Sequence, residues 1–193
     1  MDLKLLATDA GNHLALGVCS SMGKPLTAVH HKRCSDGEYV PQILENIRDT
    51  HTVLVCPTSP PSDHNLMDAL ILGDAIVRAA PARFTMVFPY WGYNRQDRKD
   101  KPRVPLTAKL ASDMVSMLGP DNVLLFDVHS EATLGYFARE VKVDHLVQLG
   151  SERGTFARAG AAAVCGGRRR QGRRAKICVL RPPARTGQVC AFR

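Results

Sequence analysis

Residues 84–88 read Phe-Thr-Met-Val-Phe, a run with no charged side chain on either face of an extended chain. Such a run is typical of a strand that is covered on both sides in a parallel sheet. A helix-period segment precedes it from about residue 63 to 80. A second helical segment, 106–118, and a second uncharged run, from residue 123, follow it. The centre of the chain therefore predicts strands that alternate with helices.

The segment before the central run has the marks of an amphipathic helix. Leu66, Leu70, Gly73 and Val77 are spaced three or four residues apart, which places them on one helix face. Ser62 stands just before the segment and is predicted to be its N-cap. We expect this helix to pack against the sheet through that face.

The same alternation extends to the N-terminus. Residues 3–7 predict a first strand and residues 12–22 a helix, and further strands are predicted near 27–32, 40–44 and 52–56. Strands that alternate with helices in this way are typical of α/β domains. We therefore predict one α/β domain over residues 1–149, with a largely parallel sheet flanked by helices.

Charge separates this domain from the rest of the chain. The net charge is +8, but residues 1–150 hold 15 basic and 17 acidic side chains, whereas residues 151–193 hold 11 and 1. The basic character of the protein thus lies in its last 43 residues, which are rich in Arg, Ala and Gly. We expect residues 150–193 to form an irregular basic tail outside the folded domain.

The sequence of the tail allows three interpretations. The tail is interpreted as a disordered basic segment, as an out-of-frame translation of GC-rich codons, or as a segment that binds nucleic acid electrostatically. No aromatic side chain stands among Arg168–Arg170 and Arg173–Arg174 to stack on bases. Nucleic-acid binding is therefore the least favoured of the three.

The remaining composition excludes several protein classes. The six cysteines form no Cys-x-x-Cys pair and no zinc-type spacing, so we expect reduced thiols. No apolar run approaches the ~18 residues that span a bilayer, and Met1-Asp2 opens no signal-peptide pattern. We expect a cytoplasmic protein with no membrane segment.

The connection between the central strand and the next helix, residues 89–103, is long for its type and carries five cations, three aromatic side chains and two carboxylates. We refer to it as the basic loop. Arg offers a fork for phosphate oxygens, and Lys offers a point charge. Loops at the carboxyl ends of parallel strands are where α/β proteins bind ligands. This composition suits a nucleotide phosphate, and the alternative is a solvated loop whose opposite charges pair weakly.

A second candidate cluster is Asp127-Val128-His129 at the end of the next buried run. This run is predicted to be a strand from Val123 to Val128, and alternation along it points Asp127 and His129 the same way. A carboxylate and an imidazole so placed can hold a divalent cation directly or through water, and Mg²⁺ takes one or two carboxylates beside substrate phosphates. A strand-end turn without a metal is the alternative.

Five short motifs follow one another along the domain: Asp36-Gly37-Glu38, Asn65-Leu66-Met67, Pro89-Tyr90-x-Gly92-Tyr93-x-Arg95-Gln96-Asp97-Arg98-Lys99, Thr107-Ala108-Lys109 and Asp127-x-His129. In order and spacing they resemble the motifs of the ribose-phosphate pyrophosphokinase family, which makes phosphoribosyl diphosphate. The resemblance runs from about Leu3 to Leu146 and covers the family's N-terminal half. It implies a phosphoribosyltransferase-like fold for this domain.

The resemblance also implies an activity. These enzymes transfer the pyrophosphoryl group of ATP to ribose 5-phosphate with Mg²⁺, giving phosphoribosyl diphosphate and AMP for nucleotide biosynthesis. By position, the implied ATP-binding residues are Arg95, Gln96, Asp97, Arg98, Lys99 and Asp100, with Asp36 and Glu38 contacting adenine from a neighbouring subunit. The implied metal-associated residues are Asp127, His129 and Asp144. Family members are homo-oligomers, from dimers to hexamers.

The second half of the family fold has no counterpart in this sequence. It binds ribose 5-phosphate through paired acidic residues, and no acidic residue follows Glu152. The resemblance therefore implies that the catalytic residues belong to an absent second domain and that this chain is inactive alone. The alternative is a non-catalytic subunit that assembles with synthase subunits.

Overall fold

A computed structural model describes residues 1–147. The predicted basic tail, residues 150–193, lies outside the described residues. Along the chain the elements are β1 (Leu3–Ala7), α1 (Asn12–Met22), β2 (Val29–Arg33), β3 (Tyr39–Ile43), β4 (His51–Val55), α2 (Ser62–Arg78), β5 (Arg83–Phe88), α3 (Thr107–Met117), β6 (Asn122–Phe126) and β7 (Lys142–Leu146). Two short 3₁₀ helices, Asp9–Gly11 and Glu131–Tyr136, precede α1 and β7.

Five of the strands form one parallel sheet in the order β1-β4-β5-β6-β7. The predicted α/β class with a largely parallel sheet is confirmed. β2 and β3 pair with each other in a separate antiparallel hairpin. From β4 onward each strand lies beside the preceding strand of the sheet, so the connections after β4, β5 and β6 emerge side by side at one edge.

Alternating side chains of the sheet build a core on each face. Leu6, Leu54 and Met86 face one side, where they pack with residues of α2, α3 and the hairpin. Leu5 and Val53 face the other side, where they pack with Cys19 of α1. Both faces are thus covered, which is why the central run carries no charge.

The helices lie where the periodicity predicts them, with two local differences. The buried residues of α2 are Asn65, Leu66, Asp68, Ala69, Leu72, Gly73 and Ile76, whereas Val77 is exposed. Ser62 is the first helical residue rather than the N-cap, because Pro61 occupies that position and makes no side-chain cap bond. The predicted apolar face of α2, which included Val77, is thus rotated slightly about the helix axis from the face that the structure buries.

The strands near the C-terminal end of the domain differ more from expectation. β6 ends at Phe126, two residues before the predicted end. Asp127 has a φ of +44°, so the extended chain stops there. β7 was not predicted, because its edge position leaves charged side chains on a strand of mixed composition, Lys-Val-Asp-His-Leu. Within residues 1–147, no helix has the length and apolar character needed to cross a membrane.

Candidate functional site

Three connections meet at the carboxyl edge of the sheet. The segment 56–61 follows β4, residues 89–106 follow β5, and residues 127–130 follow β6. These strands are neighbours in register, with Val55 opposite Val87 and Phe88 opposite Leu125. The structure therefore confirms that the basic loop and the Asp127-x-His129 cluster share one edge.

The middle of the basic loop is tied to the 3₁₀ helix that follows β6. The buried Thr133 hydroxyl donates to Asn94 Oδ1 at 2.8 Å. The Tyr136 hydroxyl donates to the backbone carbonyl of Asp97. Both bonds join segments 39 residues apart in sequence, so the loop is held against the β6 connection rather than free in solvent.

The far end of the loop is tied to the start of α3. Gln96 Oε1 accepts a hydrogen bond from the Thr107 hydroxyl, and the Gln96 carbonyl accepts the backbone N–H of Ala108 at 3.1 Å. The side chain of Gln96, which the resemblance assigns to ATP binding, is thus used within the protein. In this structure it fastens the loop.

The cationic side chains of the loop point outward. All five are exposed, and the carboxylates between them differ in exposure: Asp97 is half-buried, while Asp100 is exposed. Arg98 Nε lies 3.1 Å from Asp100 Oδ1, an ion pair with both side chains more than 70% exposed, which contributes little energy in water. A loop that is tied to other segments at Asn94, Gln96 and Asp97 therefore presents solvated cations, listed in order as Arg95, Arg98, Lys99, Lys101 and Arg103.

The Asp127 cluster begins in a turn rather than on a strand. Asp127 is half-buried with a left-handed backbone, and its N–H donates to the Leu146 carbonyl of β7 at 3.1 Å. The next N–H, of Val128, donates to His145 Nε2 at 3.2 Å, and His129 is exposed. The expectation that strand alternation aligns Asp127 with His129 was wrong, because the strand ends before both.

Asp144 lies on a different strand from that cluster. It is within β7, in register with Leu124 of β6, whereas Asp127 follows the end of β6. Among residues 1–147, no three His, Cys, Asp or Glu side chains are grouped so as to hold a metal ion. A preformed three-ligand site of Asp127, His129 and Asp144 is therefore not present in the described part of the chain.

Asp36 and Glu38 lie at the tip of the β2–β3 hairpin, where both are exposed. Gly37 has a φ of +92°, which favours glycine, and its N–H donates to the Cys34 carbonyl at 3.0 Å. Asp36 Oδ1 accepts the backbone N–H of Glu38 at 3.1 Å. Asp and Gly in turn-forming positions predict a turn for residues 34–38, and the structure confirms it.

The hairpin is anchored to α2 by an ion pair. Arg33 Nη2 lies 2.5 Å from Asp68 Oδ2, and the Asp68 side chain is 4% exposed. The Arg33 guanidinium also covers the Tyr39 ring, 4.9 Å from its centroid, and the Tyr39 hydroxyl hydrogen-bonds His31 Nδ1 at 2.6 Å. Burial, with the nearby Asp68 carboxylate, raises the pKa of the Tyr39 phenol, so it stays protonated.

These anchoring residues border a cavity of about 390 Å³ between the hairpin and α2. Its wall is completed by Gly37, Glu38, His64, Met67 and Ile71. His64 Nε2 is 4.0 Å from Asp68 Oδ2. The hairpin tip and the first turns of α2 thus share one surface.

We predict that Asp68→Asn lowers the free energy of unfolding by about 2 kcal/mol, because it leaves Arg33 beside a neutral partner in a pair that is buried on one side. The measurement is urea denaturation followed by the fluorescence of Trp91, the single tryptophan. Asp74→Asn is the control, since the Asp74–Arg78 pair on the same helix is exposed and worth under about 0.5 kcal/mol. Equal losses in the two variants would refute the anchoring role.

The cysteines that the structure describes are free thiols. Cys19 and Cys56 are buried and Cys34 is half-buried, in agreement with the expected reduced state; the other three lie outside the described residues. Burial raises the pKa of the Cys56 thiol and of the Cys19 thiol. Neither is therefore a thiolate nucleophile.

Sequence reasoning missed the residues that fix the basic loop. Asn94, Thr58, Thr133 and Tyr136 were not singled out from the sequence. Their hydrogen-bond partners lie 32 to 39 residues away in sequence. No local pattern in the sequence marks such long-range hydrogen bonds.

Comparisons with known proteins agree with the fold and the motifs. The family model for the N-terminal domain of ribose phosphate pyrophosphokinase matches residues 3–119. Ribose-phosphate pyrophosphokinase of Clostridium tetani is 41% identical over 145 residues, 75% of this chain and 45% of that protein. The Aquifex aeolicus enzyme of the same name is 37% identical over 147 residues, 76% of this chain and 47% of that protein.

A solved structure agrees as well. The crystal structure of phosphoribosylpyrophosphate synthetase from Mycobacterium smegmatis superimposes with a TM-score of 0.72 and 29% identity, over 76% of this chain and 49% of that one. The chain spans about half the length of the curated relatives it matches. The fold, the motifs and these comparisons together show that the chain belongs to the ribose-phosphate pyrophosphokinase family, through the family's N-terminal domain.

Proposed function

We propose that the basic loop binds the polyphosphate of ATP and that this domain supplies the nucleotide site of a ribose-phosphate pyrophosphokinase. The observation that carries the proposal is the loop itself: its backbone is fastened to α3 and to the β6 connection, while its five cations remain exposed. Phosphoryl-type transfer depends on positioning and charge neutralisation. A fixed row of cations at the carboxyl edge suits that task.

Mg²⁺ is part of this proposal, with Asp127 as its protein ligand and His129 acting directly or through water. Mg²⁺ characteristically keeps several waters and takes one or two carboxylates plus substrate phosphates. One half-buried carboxylate beside a phosphate-binding loop fits that mode, although the described residues hold no three-ligand cluster. When bound with the nucleotide, the ion would neutralise phosphate charge. Asp144, in register with Leu124 on the neighbouring strand, stays in the proposal as a further metal-associated residue.

The proposal extends to a homo-oligomer. Asp36 and Glu38 are exposed at the hairpin tip, and the hairpin is anchored to α2 by Arg33 and Asp68. Such a rigid, projecting tip is suited to contact a nucleotide held by a neighbouring subunit. The same geometry serves the alternative, in which the chain joins full-length synthase subunits; co-elution with a full-length synthase on size exclusion would favour that alternative.

Ribose 5-phosphate enters the proposal as the acceptor for the whole enzyme. The catalytic residues and the sugar-phosphate site are assigned to the family's second domain. The chain that we describe would then bind nucleotide without turnover. This assignment predicts ATP binding that needs no ribose 5-phosphate.

We expect Arg95→Ala to weaken ATP binding by about tenfold, because it removes one charge-assisted contact worth about 1.4 kcal/mol. Isothermal titration with Mg-ATP measures the Kd. The matched control is Arg78→Ala, which removes the same charge at the C-terminal end of α2. An ATP affinity that Arg95→Ala leaves unchanged would rule out the loop assignment, and absence of binding by the wild-type chain would rule out the proposed function.

A further inference from the structure

The segment between β4 and α2 is in direct contact with the start of the basic loop. Thr58 in this segment is 1% exposed. Its hydroxyl donates to the Tyr90 carbonyl at 3.0 Å and accepts the Gly92 N–H at 2.7 Å. Its own backbone N–H also donates to the Tyr90 carbonyl, at 3.0 Å. Three hydrogen bonds from one residue thus hold Tyr90–Gly92.

The contact is close enough to require glycine at position 92. A Cβ there would lie 2.7 Å from the Thr58 carbonyl oxygen and 3.2 Å from Ser62 Cβ. Real Cβ atoms do not approach a backbone oxygen so closely, so the two segments touch through their backbones. The short Gly92 to Thr58 hydroxyl bond depends on this approach.

The segment is itself fastened from behind by α2. Asn65, buried in the first turns of the helix, donates from Nδ2 to the Ser59 carbonyl at 2.7 Å, and its N–H donates to the Pro61 carbonyl at 3.0 Å. Thr58 therefore stands between a fixed helix and the loop. The segment that carries Thr58 is thus held in place by its hydrogen bonds to α2.

We propose that Thr58 is a positioning residue for the nucleotide site: its hydroxyl sets where the basic loop leaves the sheet and thereby where the cations from Arg95 to Arg103 are presented. The inference rests on the proposed function of that loop. Thr58 touches no exposed cation and lies under the loop. It would act on ligand only through the backbone that it holds.

The chemistry at this position needs a hydroxyl. One group must donate to a carbonyl and accept an N–H at once, and among side chains of this size only Thr and Ser do both. Valine matches the shape of threonine but would leave the Tyr90 carbonyl with one donor fewer and the Gly92 N–H without its acceptor. Thr58→Val and Thr58→Ser therefore form a matched pair.

The first test is Mg-ATP titration of the full chain. We expect Thr58→Val to raise the Kd about tenfold and Thr58→Ser to stay within about twofold of wild type. Thermal unfolding followed by circular dichroism checks that each variant is folded at the titration temperature. Wild-type affinity in a folded Thr58→Val variant would overturn the inference, and so would equal weakening in both variants.

The second test needs no nucleotide, so it separates this inference from the proposed function. Trypsin can cleave after Arg95, Arg98, Lys99 and Arg103, whereas Lys101 is protected by the following Pro102. Mass spectrometry can follow cleavage at these four sites alone. We expect cleavage there to be about tenfold faster in Thr58→Val than in wild type, with Thr58→Ser close to wild type. Unchanged cleavage in Thr58→Val would refute the positioning role even if ATP binds. Faster cleavage in a chain that binds no ATP would support the positioning role while the proposed function fails.

Discussion

Gly11→Ala is expected to destabilise the domain by roughly 3 kcal/mol or more, because the added methyl group has no space. A Cβ at Gly11 would lie 2.3 Å from the Val55 carbonyl oxygen and 3.0 Å from Pro57 Cδ. That oxygen ends β4 and accepts the Thr8 N–H at 3.1 Å, so it cannot retreat without loss of the bond. The backbone at Gly11 has a φ of −89°, which alanine adopts freely. The effect is therefore purely steric.

Gly17, six residues further along the chain, provides a matched control. Gly17 lies within α1, and a Cβ there would meet nothing within 4 Å. Gly17→Ala should stabilise the protein by about 0.5–1 kcal/mol, since alanine favours the helix. Urea denaturation, monitored by circular dichroism, compares the two variants. If Gly11→Ala were as stable as wild type, the close packing of α1 against β4 would be wrong.

Phe88→Ala is expected to lower the free energy of unfolding by about 3–5 kcal/mol. Phe88 ends β5, is fully buried, and packs edge-on against Trp91 with the ring centroids 4.7 Å apart. Trp91 packs in turn on Phe137, 5.6 Å away. Removing the ring leaves a cavity under the origin of the basic loop. The total free energy of unfolding of a domain of this size is about 5–15 kcal/mol, so the expected loss is a large fraction of its stability.

Trp91 reports this change directly. Its emission should shift to longer wavelength in folded Phe88→Ala, because the ring loses its apolar neighbour. Phe88→Leu is the control, and we expect it to cost under about 1.5 kcal/mol, since it retains much of the buried volume. A loss for Phe88→Ala no larger than for Phe88→Leu would show that the side-chain volume buried at this position contributes nothing to stability.

Local sequence signals were sufficient to predict the elements in which burial or clustered charge produces a pattern among neighbouring residues. The central run became β5 with one residue added, and α1 has the predicted bounds. Both depend on side-chain patterns within one element. The basic loop was recognised for a similar reason, since its five cations fall within nine residues and follow a buried strand.

Other features had no local signal. β7 is an edge strand with exposed charged positions, so its composition does not mark it. The end of β6 at Phe126 is set by a left-handed turn at Asp127. Asp tolerates this conformation, but an Asp in the sequence does not by itself predict it. The anchor of the hairpin pairs Arg33 with Asp68, 35 residues apart.

The sequence by itself determined the α/β class, the position of the basic loop and, through its motifs, membership of the ribose-phosphate pyrophosphokinase family. Only the tertiary structure decided how that loop is held: Thr58, Thr133 and Tyr136 form hydrogen bonds to it, and Gln96 links it to α3. It also showed that Asp127, His129 and Asp144 are not grouped as a three-ligand site within residues 1–147. The physical reason is the distance along the sequence between the residues that interact. Hydrophobic periodicity and charge runs are properties of neighbouring residues, whereas a hydrogen bond between distant segments exists only once the sheet has brought them together.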